Sequence, residues 1–267
     1  MSAPEYVFTS VEERRELERL QAIERECDPA SRRRLGATGL GAGWRCLEVG
    51  PGAGSLLMWM GEIVGPSGRV TGLDLSTKFL PPHRPAQIEV REGDIRTEAL
   101  TPASFDLIHA RYVLIHLPDY QAALDRMLAA VKPGGWLVLE EPDFSASRGI
   151  EGTPAQLTAM ERINRAIHRM YENRGMDPAL GRKLLPLLQT RGLRDLSMEH
   201  GAPVSSGGSG MAAIMAMSAV QLRERYLATG LVGEEDLRLY GEMAADPNSR
   251  AIYYATVAVA GQKAASE

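Results

Sequence analysis

Long apolar runs are missing from this chain of 267 residues. No stretch approaches the ~18 consecutive apolar residues that a membrane-spanning helix needs. The N-terminus, with Glu5, Glu12 and Glu13, has no secretory apolar region, so neither a signal peptide nor a membrane partner is expected. Cysteine is scarce as well: only Cys27 and Cys46 occur, without a CxxC or any metal-ligand spacing. That excludes a disulfide framework, predicts no metal site, and makes a reducing cytoplasm the expected location. A surplus of positive charge is also lacking. The formal net charge is -4, which gives no electrostatic case for a nucleic-acid partner. Arg14-Arg15 is interleaved with Glu12, Glu13, Glu16 and Glu18 and reads as a solvated, ion-paired helix face; Arg32-Arg33-Arg34 could approach an anionic substrate, and the solvated reading is favoured.

What is present suffices for one substantial core, at 44% apolar and 24% charged residues. Ser10 and Glu13 form a capping box that opens a helix with Leu17, Leu20, Ile23 and Cys27 on one stripe, ended by Asp28-Pro29. A short helix over 31–38 follows. Strands are predicted over 44–49, 69–74, 88–90, 105–110 and 136–140, with helices over 56–64 and 119–131 between them. Such alternation predicts an α/β fold with a parallel sheet covered on both faces.

After Glu140 the pattern changes. Thr153-Pro154 with Gln156 opens a helix carrying Leu157, Met160, Ile163, Ile167 and Met170 on one stripe. Asp177-Pro178 starts another, which Pro186 should kink or split. A strand over 193–200, a glycine- and serine-rich connection over 201–210, helices over 211–229 and 234–245, and a last strand over 252–260 complete the reading.

The segment Leu47-Glu48-Val49-Gly50-Pro51-Gly52-Ala53-Gly54-Ser55 carries the chemistry. A strand runs into a glycine turn and then a helix, a design that lets the backbone approach a nucleoside closely. A dinucleotide fingerprint would place its third glycine at position 55, which is Ser55, so the spacing is GxGxG rather than GxGxxG. Asp74, at the end of the second strand, can accept from both ribose hydroxyls; Asp94, in Gly93-Asp94-Ile95, can accept from an adenine amino group.

The chain resembles the class I S-adenosylmethionine-dependent methyltransferases over nearly its whole length. The resemblance rests on LEVGPGAGS at 47–55, GLDLS at 72–76, EGDI at 92–95, FDLIHARYVLIHLPD at 105–119 and KPGGWLVLEEPD at 132–143. Within that superfamily it looks most like bacterial small-molecule enzymes with an N-terminal helical lid and a late helical insertion. The resemblance implies a Rossmann-like, seven-stranded sheet flanked by helices, its last strand antiparallel between its neighbours. It also implies a lid over 1–43, a core over 44–144 and 176–267, and cap insertions over 145–175 and 205–246. Carried over by position, Glu48, Gly50, Pro51, Gly52, Ala53 and Gly54 would cradle the methionyl end of S-adenosylmethionine. Asp74 and Leu75 would hold the ribose, and Gly93, Asp94 and Ile95 the adenine. Ala110 and Arg111 would line the cofactor's other side.

Methyl transfer needs alignment and a nucleophile in the right protonation state. His116, Glu141 and Asp143 are the candidate bases, each with a structural alternative: a bond to a neighbouring loop for His116, and a loop satisfied by backbone amides for the two acids. Tyr6, Phe8, His116, His168, Tyr171 and Met215 are candidates for the substrate pocket, with packing as the alternative for the aromatics and methionines. The acceptor would be the oxygen, nitrogen or carbon of a small organic molecule, in specialised metabolism, with demethylated cofactor as product. Two other readings stay open: a cofactor-binding protein with non-methylating, cyclase-like chemistry, and a nicotinamide-dependent oxidoreductase. The second is disfavoured by Ser55 and by Tyr112, Tyr171 and Tyr226, none of which has a lysine four residues on. The projecting N-terminal helix and the Met-rich segment could form a homodimer contact.

Overall fold

The computed structural model describes residues 13–265; Tyr6, Phe8 and Ser10, the residue expected to cap the first helix, lie outside them. Helix α1 (Glu13–Ala37) leads into β1 (Arg45–Val49), α2 (Ser55–Val64), β2 (Arg69–Asp74), β3 (Ile88–Glu92), β4 (Phe105–Arg111), α3 (Tyr120–Ala130) and β5 (Val131–Asp143). Next come β6 (Arg148–Glu151), α4 (Pro154–Glu172), α5 (Leu184–Thr190), β7 (Arg194–Gly201) and β8 (Ser205–Ser206). The chain closes with α6 (Gly210–Gln221), α7 (Arg223–Leu227), α8 (Glu234–Ala245), β9 (Arg250–Ile252) and β10 (Ala255–Gln262).

The main sheet has seven strands in the order β3-β2-β1-β4-β5-β10-β7. The first five are parallel, and β10 runs antiparallel between β5 and β7. Alternation along the central strands sends Leu47, Ile108 and Leu139 into one apolar cluster and Cys46, Leu107 and Val138 into another. Period-two side chains of strands covered on both sides produce this division. A second, three-stranded sheet, β6-β9-β8, is not foreshadowed in the sequence reading. It claims Ile252, which the sequence pattern assigned to the last long strand.

Several boundaries differ from expectation for physical reasons. Pro29 does not end the first helix: α1 runs through it as one element. Arg111 of β4 donates to Asp28 Oδ1 at 2.9 Å and to Ser31 Oγ at 2.8 Å, and Ser31 itself donates to the Cys27 carbonyl. These tertiary bonds hold the turns on both sides of the proline in helical register. Pro186 does accompany a split: a 3₁₀ turn at Leu180–Lys183 precedes α5, and the proline falls in the first turn, where its missing N–H costs nothing. The helix expected over 211–229 breaks at Leu222 into α6 and α7.

Candidate functional site

The carboxyl ends of β1, β2 and β4 open into a cavity of about 360 Å³. Its remaining walls come from α1 (Leu20, Ile23, Glu24), α4 (Ile167, Met170, Tyr171) and α6 with α7 (Met215, Leu222, Tyr226). This is where ligands bind in open α/β sheets.

The glycine turn forms the floor. Gly50, at φ 67°, and Gly54, at φ 96°, lie in the left-handed region, where L side chains are strained. A β-carbon on Gly50 would also sit 2.5 Å from Val113 Cγ2. Gly54 caps α2, whose first residue donates its amide to Glu24 Oε1 on α1 at 3.0 Å. Asp74 accepts the Ser76 amide at 3.1 Å; burial raises its carboxyl above the ordinary range, against the pull of the Ser76, Gly52 and Leu75 amides. Burial likewise raises Glu24. Among the described residues no lysine or arginine forms an ion pair with either group. The cavity therefore presents two partly buried carboxyl groups that sit in no ion pair, with the Arg111 charge acting on Glu24 from farther off.

The cations that do line it are committed. Arg19 makes a bidentate bond to Glu16 at 2.9 and 2.7 Å, Arg111 pairs with Asp28, and Lys78 pairs with Glu13. Asp94 lines the cavity with both oxygens on Arg96, whose bonds hold its carboxyl below the ordinary range.

The sequence candidates divide accordingly. Glu48, Gly50, Pro51, Gly52, Ala53, Asp74, Leu75, Gly93, Asp94, Ile95 and Arg111 come together around the cavity, as do His116, Tyr171 and Met215. Gly54 stands just behind the wall as the α2 cap. Ala110 does not reach the cavity: it is fully buried inside β4, between Val49 and Leu139. His168, half-buried on α4, is also absent from the lining.

Two candidate bases require correction. Glu141 is fully buried and accepts three backbone amides, from Val113, Leu114 and Ile115, at 2.8–3.1 Å. Burial pushes its carboxyl up to about 8 against the pull of these amides. Its work is to cap the 3₁₀ turn Leu114–His116 rather than to face a ligand. Asp143 accepts the Ser145 amide at 2.9 Å and the Ser145 hydroxyl, capping the turn at Phe144–Ala146, and it too is absent from the cavity wall. His116 does face the cavity, beside Tyr171 with ring centroids 6.1 Å apart. Burial and the nearby Arg19 charge lower it to about 3, so at neutral pH it is a neutral imidazole and a weak base.

Other contributors went unnoticed in the sequence. Glu16, read as part of a solvated face, and Arg19, which the sequence reading passes over, are 3% and 5% exposed and line the cavity. Arg34, also read as solvated, pairs with buried Glu140 at 2.7 Å. Tyr112 takes φ 56° at the end of β4, and its hydroxyl meets Thr256 Oγ1 at 2.6 Å. Such a strained non-glycine residue beside a cavity is typical of built sites. Tyr254 and Phe144, centroids 5.4 Å apart, complete an aromatic wall with Tyr171. A signal for Glu16 and Arg19 did exist: both lie on the α1 face shared by Leu20 and Ile23, at helical spacing.

Among the described residues no helix is long and apolar enough to cross a membrane.

Comparison with known proteins agrees with this geometry. "Methyltransferase str2" of Strobilurus tenacellus is 33% identical over 165 residues, covering 60% of this chain and 56% of that protein. "Ubiquinone biosynthesis O-methyltransferase" of Paracidovorax citrulli is 31% identical over 162 residues, covering 57% and 67%. The solved structure of the [4+2]-cyclase SpnF shares the fold at a TM-score of 0.53 and 18% identity, over 92% of this chain and 82% of that one. The chain spans little more than half the length of the first of these relatives. Residues 14–201 match the model of the methyltransferase domain, and the chain belongs to that family.

Proposed function

We propose that the protein transfers a methyl group from S-adenosylmethionine to an oxygen, nitrogen or carbon nucleophile of a small, largely apolar organic molecule, in specialised metabolism. One observation carries this reading. The glycine-floored cavity presents Glu24 and Asp74 as desolvated carboxyl groups while each of its arginines and its lysine is already paired. A ligand with an ammonium, a sulfonium and ribose hydroxyls supplies the donors and positive charge such a wall favours; a pyrophosphate would meet repulsion. The residues present fit that cofactor: Gly50 and Gly52, both in the left-handed region, keep the floor free of side chains, and a β-carbon on Gly50 would collide with Val113.

When bound, the cofactor supplies a methyl group already activated for in-line displacement. The protein's share is alignment and exclusion of water. Glu48 and the glycine turn would take the amino-acid end, Asp74 and Leu75 the ribose, and Asp94 and Ile95 the adenine. Arg96 fixes the Asp94 rotamer through bonds to both of its oxygens. Helix α1 would serve as the lid, and α4 with α6–α8 as the cap. The wall of Tyr171, Tyr226, Tyr254, Phe144 and Met215 would hold the acceptor by apolar contact. With His116 neutral and Glu141 and Asp143 turned to backbone amides, the cavity favours an acceptor that needs little help in losing its proton, such as a phenol. The test is incubation with methyl-labelled cofactor and a panel of phenols, amines and activated carbon acids, read by mass spectrometry. Label in a product supports the proposal; an acceptor rearranged without label would establish the cyclase-like alternative.

A further inference from the structure

Beneath the cavity floor, a row of buried charges crosses the sheet on the face covered by α1. Glu48 on β1, His109 on β4 and Glu140 on β5 share the face of Cys46, Leu107 and Val138, because each lies two residues beyond one of them. Register sets Glu48 directly opposite His109. His109 is 0% exposed, with Nδ1 2.9 Å from Glu48 Oε2 and Nε2 3.2 Å from Glu140 Oε1. Both ring nitrogens face carboxyl oxygens, and with both glutamates ionised the two bonds need a proton on each nitrogen, which makes the ring an imidazolium. The other oxygen of Glu140 accepts from Arg34 of α1 at 2.7 Å, and Arg34 also reaches Glu199 of β7 at 3.0 Å. Arg111 and Asp28 stand alongside as a separate pair, with Cys27 and Tyr112 completing the surroundings.

The row is anchored at its outer end and reaches the cavity at its inner end. Glu48 alone of its inner three members lines the cavity, and one of its oxygens is fixed by His109. Two buried carboxylates on the strands that flank β4 repel one another, and a cation on β4 between them sets where each points.

Resting on the cofactor reading above, we propose that His109 is a positioning residue for the amino-acid end of the cofactor: clamped between Glu48 and Glu140, it aims the free Glu48 oxygen at the cofactor's ammonium, and Arg34 carries the docking of α1 into the same clamp. The raised affinity of His109 for its proton, at about 9 where burial alone would lower it, agrees with the two flanking carboxylates.

Isothermal titration with two probes tests this. S-adenosylhomocysteine carries the amino-acid end; 5′-methylthioadenosine shares its adenosine and sulfur and lacks that end. His109→Gln is expected to weaken S-adenosylhomocysteine about tenfold or more while 5′-methylthioadenosine stays within about twofold. In a Glu48→Gln background the His109 substitution should cost no further affinity, since nothing remains to be aimed. Arg34→Gln, at the rim of the row, should show the same split more weakly and decides the matter if His109→Gln does not fold. Equal losses for both probes, or an unchanged S-adenosylhomocysteine affinity, would overturn the proposal. If the wild-type protein binds neither probe, the cofactor reading itself falls first and takes this inference with it.

Discussion

Gly50 offers the sharpest test of how the cavity floor is built. Gly50→Ala imposes two separable penalties. A left-handed φ of 67° costs an L residue ~1–2 kcal/mol. The new β-carbon, 2.5 Å from Val113 Cγ2, forces overpacking that costs a further ~1–3 kcal/mol. Val113 has little room to retreat, because its amide is tied to Glu141 Oε1 at 3.1 Å. The total is about 2–5 kcal/mol. Truncating Val113 to alanine removes Cγ2 and leaves its Cβ 3.8 Å away, an ordinary contact. In a Val113→Ala background, Gly50→Ala should therefore cost only the ~1–2 kcal/mol of backbone strain, a coupling of about 1–3 kcal/mol. Equilibrium urea unfolding of the four proteins measures it. If Gly50→Ala costs the same with and without Val113, the close approach of these two elements is not what requires glycine, and the reasoning fails.

Other expectations follow from the same geometry. Asp74→Ala should weaken S-adenosylhomocysteine by about 1.5–3 kcal/mol, roughly ten- to a hundredfold, by titration calorimetry. Glu141→Gln should lower stability by ~1–3 kcal/mol, because an amide group replaces an oxygen facing backbone N–H donors. It should leave cofactor affinity unchanged, and a lost affinity would show that Glu141 does more than hold the turn. Glu140 is held down at about 2 by His109, Arg34 and Arg111 although burial alone would raise it. A carboxyl depressed on folding stabilises above its unfolded value near 4.5, and that contribution, up to about 3 kcal/mol, is lost as pH falls toward 2. Urea midpoints between pH 6 and pH 2.5 should fall more steeply for wild type than for Glu140→Gln.

The main sheet was legible in the sequence because strands covered on both faces write themselves as short apolar runs between glycine and proline signals. The glycine turn and Asp74 were legible because backbone approach and ribose recognition constrain residue type at fixed spacing. The antiparallel β10 came from family resemblance rather than from local pattern. Pro29 misled because a local breaker rule competes with tertiary bonds from Arg111, which only the folded chain supplies. Glu16 and Arg34 misled in the same way: a charged residue looks solvated until its partner is brought to it from another turn or another strand. Glu141 and Asp143 lie at the correct edge of the sheet, yet which way a side chain turns there depends on neighbouring amides that no spacing rule reveals. His109 went unremarked because its two partners are 61 and 31 residues distant in sequence.

The central claim is that this cavity binds the sulfonium cofactor and its demethylated product. Titration of the wild-type protein with S-adenosylhomocysteine tests it most directly. One site per chain, weakened by Asp74→Ala and indifferent to reduced nicotinamide cofactor, is the expected result. Absence of any binding heat with S-adenosylhomocysteine, or competition by the nicotinamide cofactor for the same site, would contradict it.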